Sequence, residues 1–338
     1  MEREVFSSLG HRSRRTRVGP GIGLDNAILG IGEGRVMILT VDPVSAIPAI
    51  GPEKSAWLSV HLIASDYTTS GTRPEFATFS YNFPESMSGA DAAGYVRSVG
   101  KACRELGVAI VAGHTGSYPG ADYTVIGAGT MLGLSEEGRY VDPTGIRAGD
   151  LVLMTKHAAI EATFSLALSF PQYTREHVGR KSFKEASSMT DICSTVDDAL
   201  AAAETGLGPT GVTSMHDATE GGVLGALREM SEAANKAIVA EVGQIPVSQA
   251  ARDVCAAFGI DPLTSLGEGA LLVTCRPERV SSLEDHMRRS GIEITRIGSV
   301  RSGSGLWLSS DGGPPRLARP RQDGYWRAYS RWVSSKGG

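Results

Sequence analysis

Residues 18–42 read VGPGIGLDNAILGIGEGRVMILTVD, and the rest of the chain is organised around them. They begin as a glycine-rich turn, Gly19, Gly21 and Gly23, with Asp25 directly after it. An apolar β-type run from Val36 to Val41 then stops on Asp42 and Pro43. Glycine lets backbone N–H groups approach a phosphate closely. Carboxylates at the ends of loops and strands are hard oxygen ligands suited to Mg²⁺. The two features together describe the edge of a metal–nucleotide site. They are equally consistent with glycines that punctuate turns and a strand that ends at Asp-Pro, so the decision falls to the flanking sequence.

Outward from this stretch, residues 53–66 form a helix that is apolar nearly all round, hence buried, and reaches a third acid, Asp66. Residues 76–83 alternate as a strand. Ser88 is an N-cap for a helix over 89–106, with Gly107 as its stop. Residues 108–111 read as a short buried strand leading to Gly113-His114-Thr115-Gly116, and 123–132 as another strand. The turn-rich stretch 135–149 marks a domain boundary. Beyond it come strands at 151–155, 238–242, 270–275 and 292–300, and helices at 160–168, 190–204, 219–234, 247–258 and 278–290. Val223, Leu227, Met230 and Ala234 form one core-facing stripe. The alternation argues an α/β (α+β) chain. It divides into a basic segment 1–17, a first domain 18–149, a second domain 150–313 and a tail 314–338. In the tail, Tyr325, Trp326, Tyr329 and Trp332 either pack as a short terminal helix or offer a stacking surface.

Composition narrows the function. The 338 residues are 41% hydrophobic and 21% charged, with a net charge of −4, so no basic field points to nucleic acid or an anionic membrane. The one basic cluster, His11 to Arg17, is a phosphate contact or a solvated face. Cys103, Cys193, Cys255 and Cys275 form no CxxC pair and read as reduced cysteines of a cytoplasmic protein. No apolar run reaches the roughly 18 residues a membrane helix needs.

No P-loop, nucleophile elbow or HExxH motif occurs. What remains is a set of acids and glycine turns at element ends. Asp25, Asp42 and Asp66, if they converge, can hold Mg²⁺ on a triphosphate; otherwise they are unrelated surface acids. Residues 215–222, MHDATEGG, precede a helix that Thr219 can cap. Free N–H groups at Glu220, Gly221 and Gly222 make an anion site there, next to Asp217. His216 is a general base or a structural histidine. Glu268, between Gly267 and Gly269, is a solvated turn acid or a ligand-facing one.

In this order the pieces resemble the superfamily of aminoimidazole ribonucleotide synthetase, which includes hydrogenase maturation factor E, selenophosphate synthetase, thiamine-monophosphate kinase and α-ribazole kinase. The resemblance covers about residues 18–300. It implies a first domain whose sheet pairs with a second copy into a dimeric β-barrel, and a second domain forming an α/β sandwich against it. It implies ATP and Mg²⁺ in the cleft, with Asp25, Asp42 and Asp66 as metal ligands. Gly21, Gly23, Thr115, Thr219, Gly221, Gly222 and Glu268 would contact the nucleotide, and Asp42, His114 and Asp217 would be catalytic. The implied reaction is phosphoryl transfer to a small-molecule substrate. Amide activation in the manner of maturation factor E, to which the chain looks most similar, is the alternative, and a non-catalytic maturation factor acting on a partner protein is a third. Two departures bear on the choice. No cysteine lies between Gly19 and Asp25, where selenophosphate synthetase has its nucleophile, and the sequence ends VSSKGG without the C-terminal cysteine of maturation factor E. His114 stands where many members carry an acid.

Overall fold

The computed structural model describes residues 2–310, 313–319 and 322–336. Helix α1 (Glu2–Ser7) and strand β1 (Thr16–Val18) precede β2 (Ala27–Gly32), β3 (Arg35–Ser45), α2 (Gly51–Thr68), β4 (Phe76–Pro84), α3 (Gly89–Glu105), β5 (Ala109–Tyr118) and β6 (Val125–Glu136). The six strands form one sheet in the order β1-β2-β3-β6-β4-β5, antiparallel except for the β4–β5 pair. Helix α2 starts with a proline in its first turn, as the missing N–H allows. Its Ala56, Val60, Ile63, Ala64 and Tyr67 are fully buried in the core beneath the sheet. Ser88 caps α3 by accepting the Asp91 N–H at 3.1 Å, as its position in the sequence predicts.

The second domain runs β7 (Leu151–Thr155), α4 (Ile160–Ser169), α5 (Pro171–Ser188), α6 (Val196–Glu204), β8 (Val212–Asp217), α7 (Gly222–Ala234), β9 (Ala237–Glu241), α8 (Gln249–Phe258), β10 (Leu271–Cys275), α9 (Pro277–Arg289), β11 (Ile294–Arg301), β12 (Gly305–Ser309), β13 (Arg316–Leu317) and α10 (Tyr325–Lys336). Its seven-stranded sheet has the order β13-β12-β9-β11-β7-β10-β8, with β12 parallel to β9. Helix α7 covers one face, α6 and α9 the other. Helices α4, α5 and α8 make a further layer onto which α10 docks, with Tyr329 and Trp332 packed among Phe170, Tyr173 and Phe258. The tail is therefore a packed helix. The domains meet where α2 lies against α6 and β8, the edge strand of the second sheet.

Several elements differ from the sequence expectations. The single helix expected over 190–204 is a short 3₁₀ turn at Met189–Ile192 and then α6. The break between them is held by Lys156, which donates to the Ser194 carbonyl at 2.6 Å, and by the Ser65 hydroxyl, which accepts the Thr195 N–H at 3.0 Å. Residues 108–111 were expected to form a short buried strand; β5 is ten residues long, sits at the sheet edge and is exposed along its length. In one chain the first sheet is open, with β1 and β5 as its edges among the described residues. The four cysteines are free and buried, and among the described residues no helix is long and apolar enough to cross a membrane.

Candidate functional site

Strand ends and turns from both domains empty into one cavity of about 710 Å³. From the first domain, β3 brings Asp42, α2 brings Asp66, and the glycine-rich turn brings Gly21, Gly23 and Asp25. Gly23 has φ +71, and a Cβ on it would lie 2.7 Å from the backbone of Glu229 in α7. Only glycine lets this turn press onto the second domain. Two side chains hold the turn in place. The Thr40 hydroxyl donates to the Asp25 carbonyl at 2.7 Å, and Asn26 donates to the Thr69 hydroxyl at 2.9 Å.

From the second domain, β8 ends on His216 and Asp217, opposite Leu272 and Leu271 of β10. The turn preceding β10 carries Glu268, and the two turns are tied by the Ala218 N–H to the Ala270 carbonyl at 2.9 Å. Asp217 is fully buried, and neither of its carboxylate oxygens has a hydrogen-bond partner; Glu268 Oε2 is likewise buried and unpartnered. His216 sits between acids, its Nδ1 2.6 Å from Asp25 Oδ1 and its Nε2 3.1 Å from Glu229 Oε2. Asp25, His216 and Asp217 offer ligand atoms within 4.8 Å of one another.

Burial dominates the electrostatics, and the crowding of acids adds to it. Burial, then the nearby charges of Glu220 and Asp25, pushes Asp42 up to about 7. Burial and Asp25 push Asp217 to about 7, against the opposing effect of His216. Asp66 and Glu268 rise well above the carboxylate range, mainly through burial and then through Asp217. Burial works against the imidazolium of His216, but Asp25 and Glu229 outweigh it and hold the group protonated. His216 is thus a cationic clamp with both nitrogens engaged, which favours its structural reading over that of a general base.

Buried carboxylates without partners are costly. A hard divalent cation is the partner their chemistry fits, because oxygen ligands from several acids satisfy Mg²⁺. The acids brought together here are Asp25, Asp42 and Asp66, expected from the sequence as metal ligands, with Asp217 and Glu268, expected there as a catalytic and a nucleotide-contacting residue.

Other expected contacts fall elsewhere. Thr219 lines the cavity but does not cap α7. The helix begins at Gly222 after Gly221, both with positive φ, so the sharp strand-to-helix turn moves its start downstream. The anion site expected there is already filled: Asp323 Oδ2 accepts the Gly221 N–H at 2.9 Å, and the Gly222 N–H bonds the Thr219 carbonyl. His114 and Thr115 do not reach the cavity of the same chain. They lie on β5, three strands from β3 or about 14 Å at ~4.8 Å per strand, and His114 Nε2 meets the Tyr118 hydroxyl at 2.7 Å. Lys156 is a structural anchor, 2.8 Å from Asp198. Sequence reasoning named no role for Glu229, Asn26 or Asp323; no local motif marks them, since each acts on a residue distant in the chain.

Two α/β domains whose facing ends gather unpartnered carboxylates define a protein with an acidic interdomain cleft. Residues 23–135 match the family model described as AIR synthase related protein, N-terminal domain, and residues 147–308 match the C-terminal domain of the same family. The chain belongs to this family. It is 28% identical over 290 residues to the carbamoyl dehydratase HypE of Cupriavidus necator, covering 82% of this chain and 77% of that protein. Its fold superposes on a crystal structure of a HypE–HypF complex with a TM-score of 0.75, at 22% identity over 95% of this chain and 99% of the other. It superposes on AaThiL complexed with AMPPCP and TMP with a TM-score of 0.69, at 19% identity over 90% and 91%.

Proposed function

We propose that the chain is a Mg²⁺-dependent, ATP-using enzyme that transfers the γ-phosphoryl group to an oxygen of a small molecule. The carrying observation is the convergence of Asp25, Asp42, Asp66, Asp217 and Glu268, two of them with unpartnered buried oxygens, at the mouth of the glycine-rich turn. Mg²⁺ on these carboxylates would neutralise triphosphate charge, the main requirement of phosphoryl transfer. The chain's own residues supply position. Thr40 and Asn26 fix Asp25, His216 holds Asp25 against α7, and the 217–222 and 266–270 turns lock Asp217 beside Glu268. The AMPPCP-bound relative supports a nucleotide here.

A second reading is favoured by the HypE relative: ATP-dependent activation of an amide oxygen on a partner protein. Both readings begin with phosphoryl transfer to oxygen and part at the acceptor. Mg²⁺-ATP turnover of the chain alone, against a panel of small hydroxyl- and phosphate-bearing acceptors, decides between them. Stimulation by an acceptor supports the kinase, whereas turnover that rises only with a carbamoylated protein partner supports the dehydratase.

We also propose that the chain pairs with a second copy through its first sheet. Ile110 and Val111 on β5, Val41 on β3 and Val125 on β6 are exposed, at 46, 58, 62 and 55%, which is an apolar surface around an unpaired strand edge. His114 and Thr115 would then lie at the junction of the two copies. Sedimentation of the wild type against Val111→Lys tests this: a monomer-sized wild type sinks it.

A further inference from the structure

At one edge of the second sheet, strands β12 and β13, helix α7 and the turn after α8 enclose a second cavity, of about 760 Å³. Its floor is apolar for a reason the strands supply. Leu306 and Leu308 are two residues apart on β12 and so share a face. That face belongs to the core that holds Leu224 of α7 and Leu263. Leu308 pairs with Arg316 across the antiparallel β12–β13 ladder. Side chains of directly opposite residues stand on the same side of a sheet, so Arg316 rises from the rim of the apolar floor. Arg228 of α7 and Arg319 line the same cavity.

The three arginines are poorly compensated. Arg316 and Arg319 are exposed and, among the described residues, pair with no acid. Arg228 has only Glu232, one turn further along α7, at 3.9 Å. The two acids that also line the cavity are engaged: Asp261 Oδ1 accepts the Leu263 N–H at 3.0 Å, and Glu220 Oε1 accepts from Trp326 Nε1 at 3.0 Å. The neighbouring cleft is the opposite case. Glu220 lines both cavities, but the cleft, walled by Tyr325, Trp326 and Tyr329 of α10, carries seven carboxylates and, among the described residues, no lysine or arginine. An anion is repelled by the cleft and attracted by the second cavity. Guanidinium groups bind carboxylate and phosphate oxygens through paired N–H donors. An apolar floor with a few polar groups above it is the usual make-up of a small-molecule pocket.

We propose that this second cavity binds a small amphiphilic anion, an apolar chain or ring carrying one carboxylate or phosphate head. The head lies on Arg316 and Arg319, and the body lies over Leu224 and Leu308. The site is separate from the acidic cleft, and the proposal holds whichever acceptor that cleft serves.

The test titrates octanoate, octyl phosphate, the neutral octanamide and acetate into the full chain by calorimetry. Mg²⁺ is left out, so that the acidic cleft has nothing to offer an anion. At least one octyl anion is expected to bind at a single site, about tenfold more tightly than octanamide. Acetate should bind at least about tenfold more weakly than octanoate, for want of the apolar body. The double variant Arg316→Gln/Arg319→Gln should reduce the anion preference to under about twofold with octanamide binding retained. Its thermal midpoint should match the wild type, because both side chains are exposed. Preference for octanoate or for octyl phosphate, either of which supports the site, identifies its head. Binding of neither octyl anion, equal binding of octanamide, acetate as tight as octanoate, or a preference that survives in the double variant overturns the proposal.

Discussion

Asp150 and Asp217 are both fully buried acids of the second domain, and they differ in what surrounds them. Asp150 receives Arg276 at 2.6 Å, the Arg147 N–H at 2.8 Å and the Thr213 hydroxyl at 2.7 Å. Asp217 receives no side chain and faces other acids. A compensated buried acid is scaffold; an uncompensated one, kept among four further acids, supports the cation site proposed above. The lesson is that burial alone does not mark function; burial without a partner does.

The comparison breaks most visibly at Asp150. Asp150→Ala removes the buried acceptor shared by Arg276, the Arg147 N–H and the Thr213 hydroxyl, leaving Arg276 only Glu278 at 3.7 Å, and should cost about 3 kcal/mol or more of stability, read as a lower denaturation midpoint with Mg²⁺-AMPPCP affinity intact at low temperature. Asp42→Asn should do the reverse: ATP turnover falls about 100-fold, while the thermal midpoint holds or rises because a repulsive charge is gone. A variant that turns over ATP normally would remove Asp42 from the metal set. Gly23→Ala, strained at φ +71 and driven against the Glu229 backbone, should weaken nucleotide binding by about tenfold with little change in fold.

The pH response sharpens the same contrast. Asp42 and Asp217 normally titrate near 3.8 and are held to about 7 in the fold, and Glu161 moves from 4.5 to about 8. Between about pH 4 and 8 the folded protein therefore binds more protons than the unfolded chain, and metal-free stability falls as pH rises through that window. His61, lowered to about 4 by burial, and His157, also lowered by burial, pull the other way, but they are outweighed because Asp66, Glu268, Asp323 and His216 are raised as well. Since Mg²⁺ displaces these protons, its stabilisation should be larger at pH 8 than at pH 5 in a melting experiment. Equal gains at both would mean that the cation binds elsewhere. The smallest effect is expected at the exposed Arg139–Glu136 pair, where Glu136→Gln should stay within about 0.5 kcal/mol of wild type.

Much of the fold could be read from the chain because its signals are local. The all-apolar run of β7, the Ser88 cap and the helical stripe of α7 each lie within a few residues. Strand β8 escaped because only Val212 and Met215 of its six residues are apolar, though it is buried throughout. Helix α5 escaped because it is polar and interrupted at Gly179 (φ +77). The site follows the same rule. Asp25, Asp42 and Asp66 stood out as acids at element ends, and Asp217 and Glu268 as acids beside glycine turns. Glu161, with Lys156 and His157, reads from the sequence as a substrate-facing group or, more plainly, as part of a helix-start cluster, where an acid suits the helix dipole. Asp323, in an arginine- and proline-rich segment, meets Gly221 from 102 positions away, and no pattern in either segment announces the contact.

That contact matters for handling the molecule. Because Asp323 secures the start of α7 and the residues after it wall the cavity, the tail is part of the binding chamber. A C-terminal affinity tag, or a protease that trims the last helix during purification, would alter ligand recognition while leaving every acid of the cleft in place. Material carrying its tag at the opposite end is the appropriate reference for any binding measurement, and protection of the tail from proteolysis offers a simple readout of occupancy.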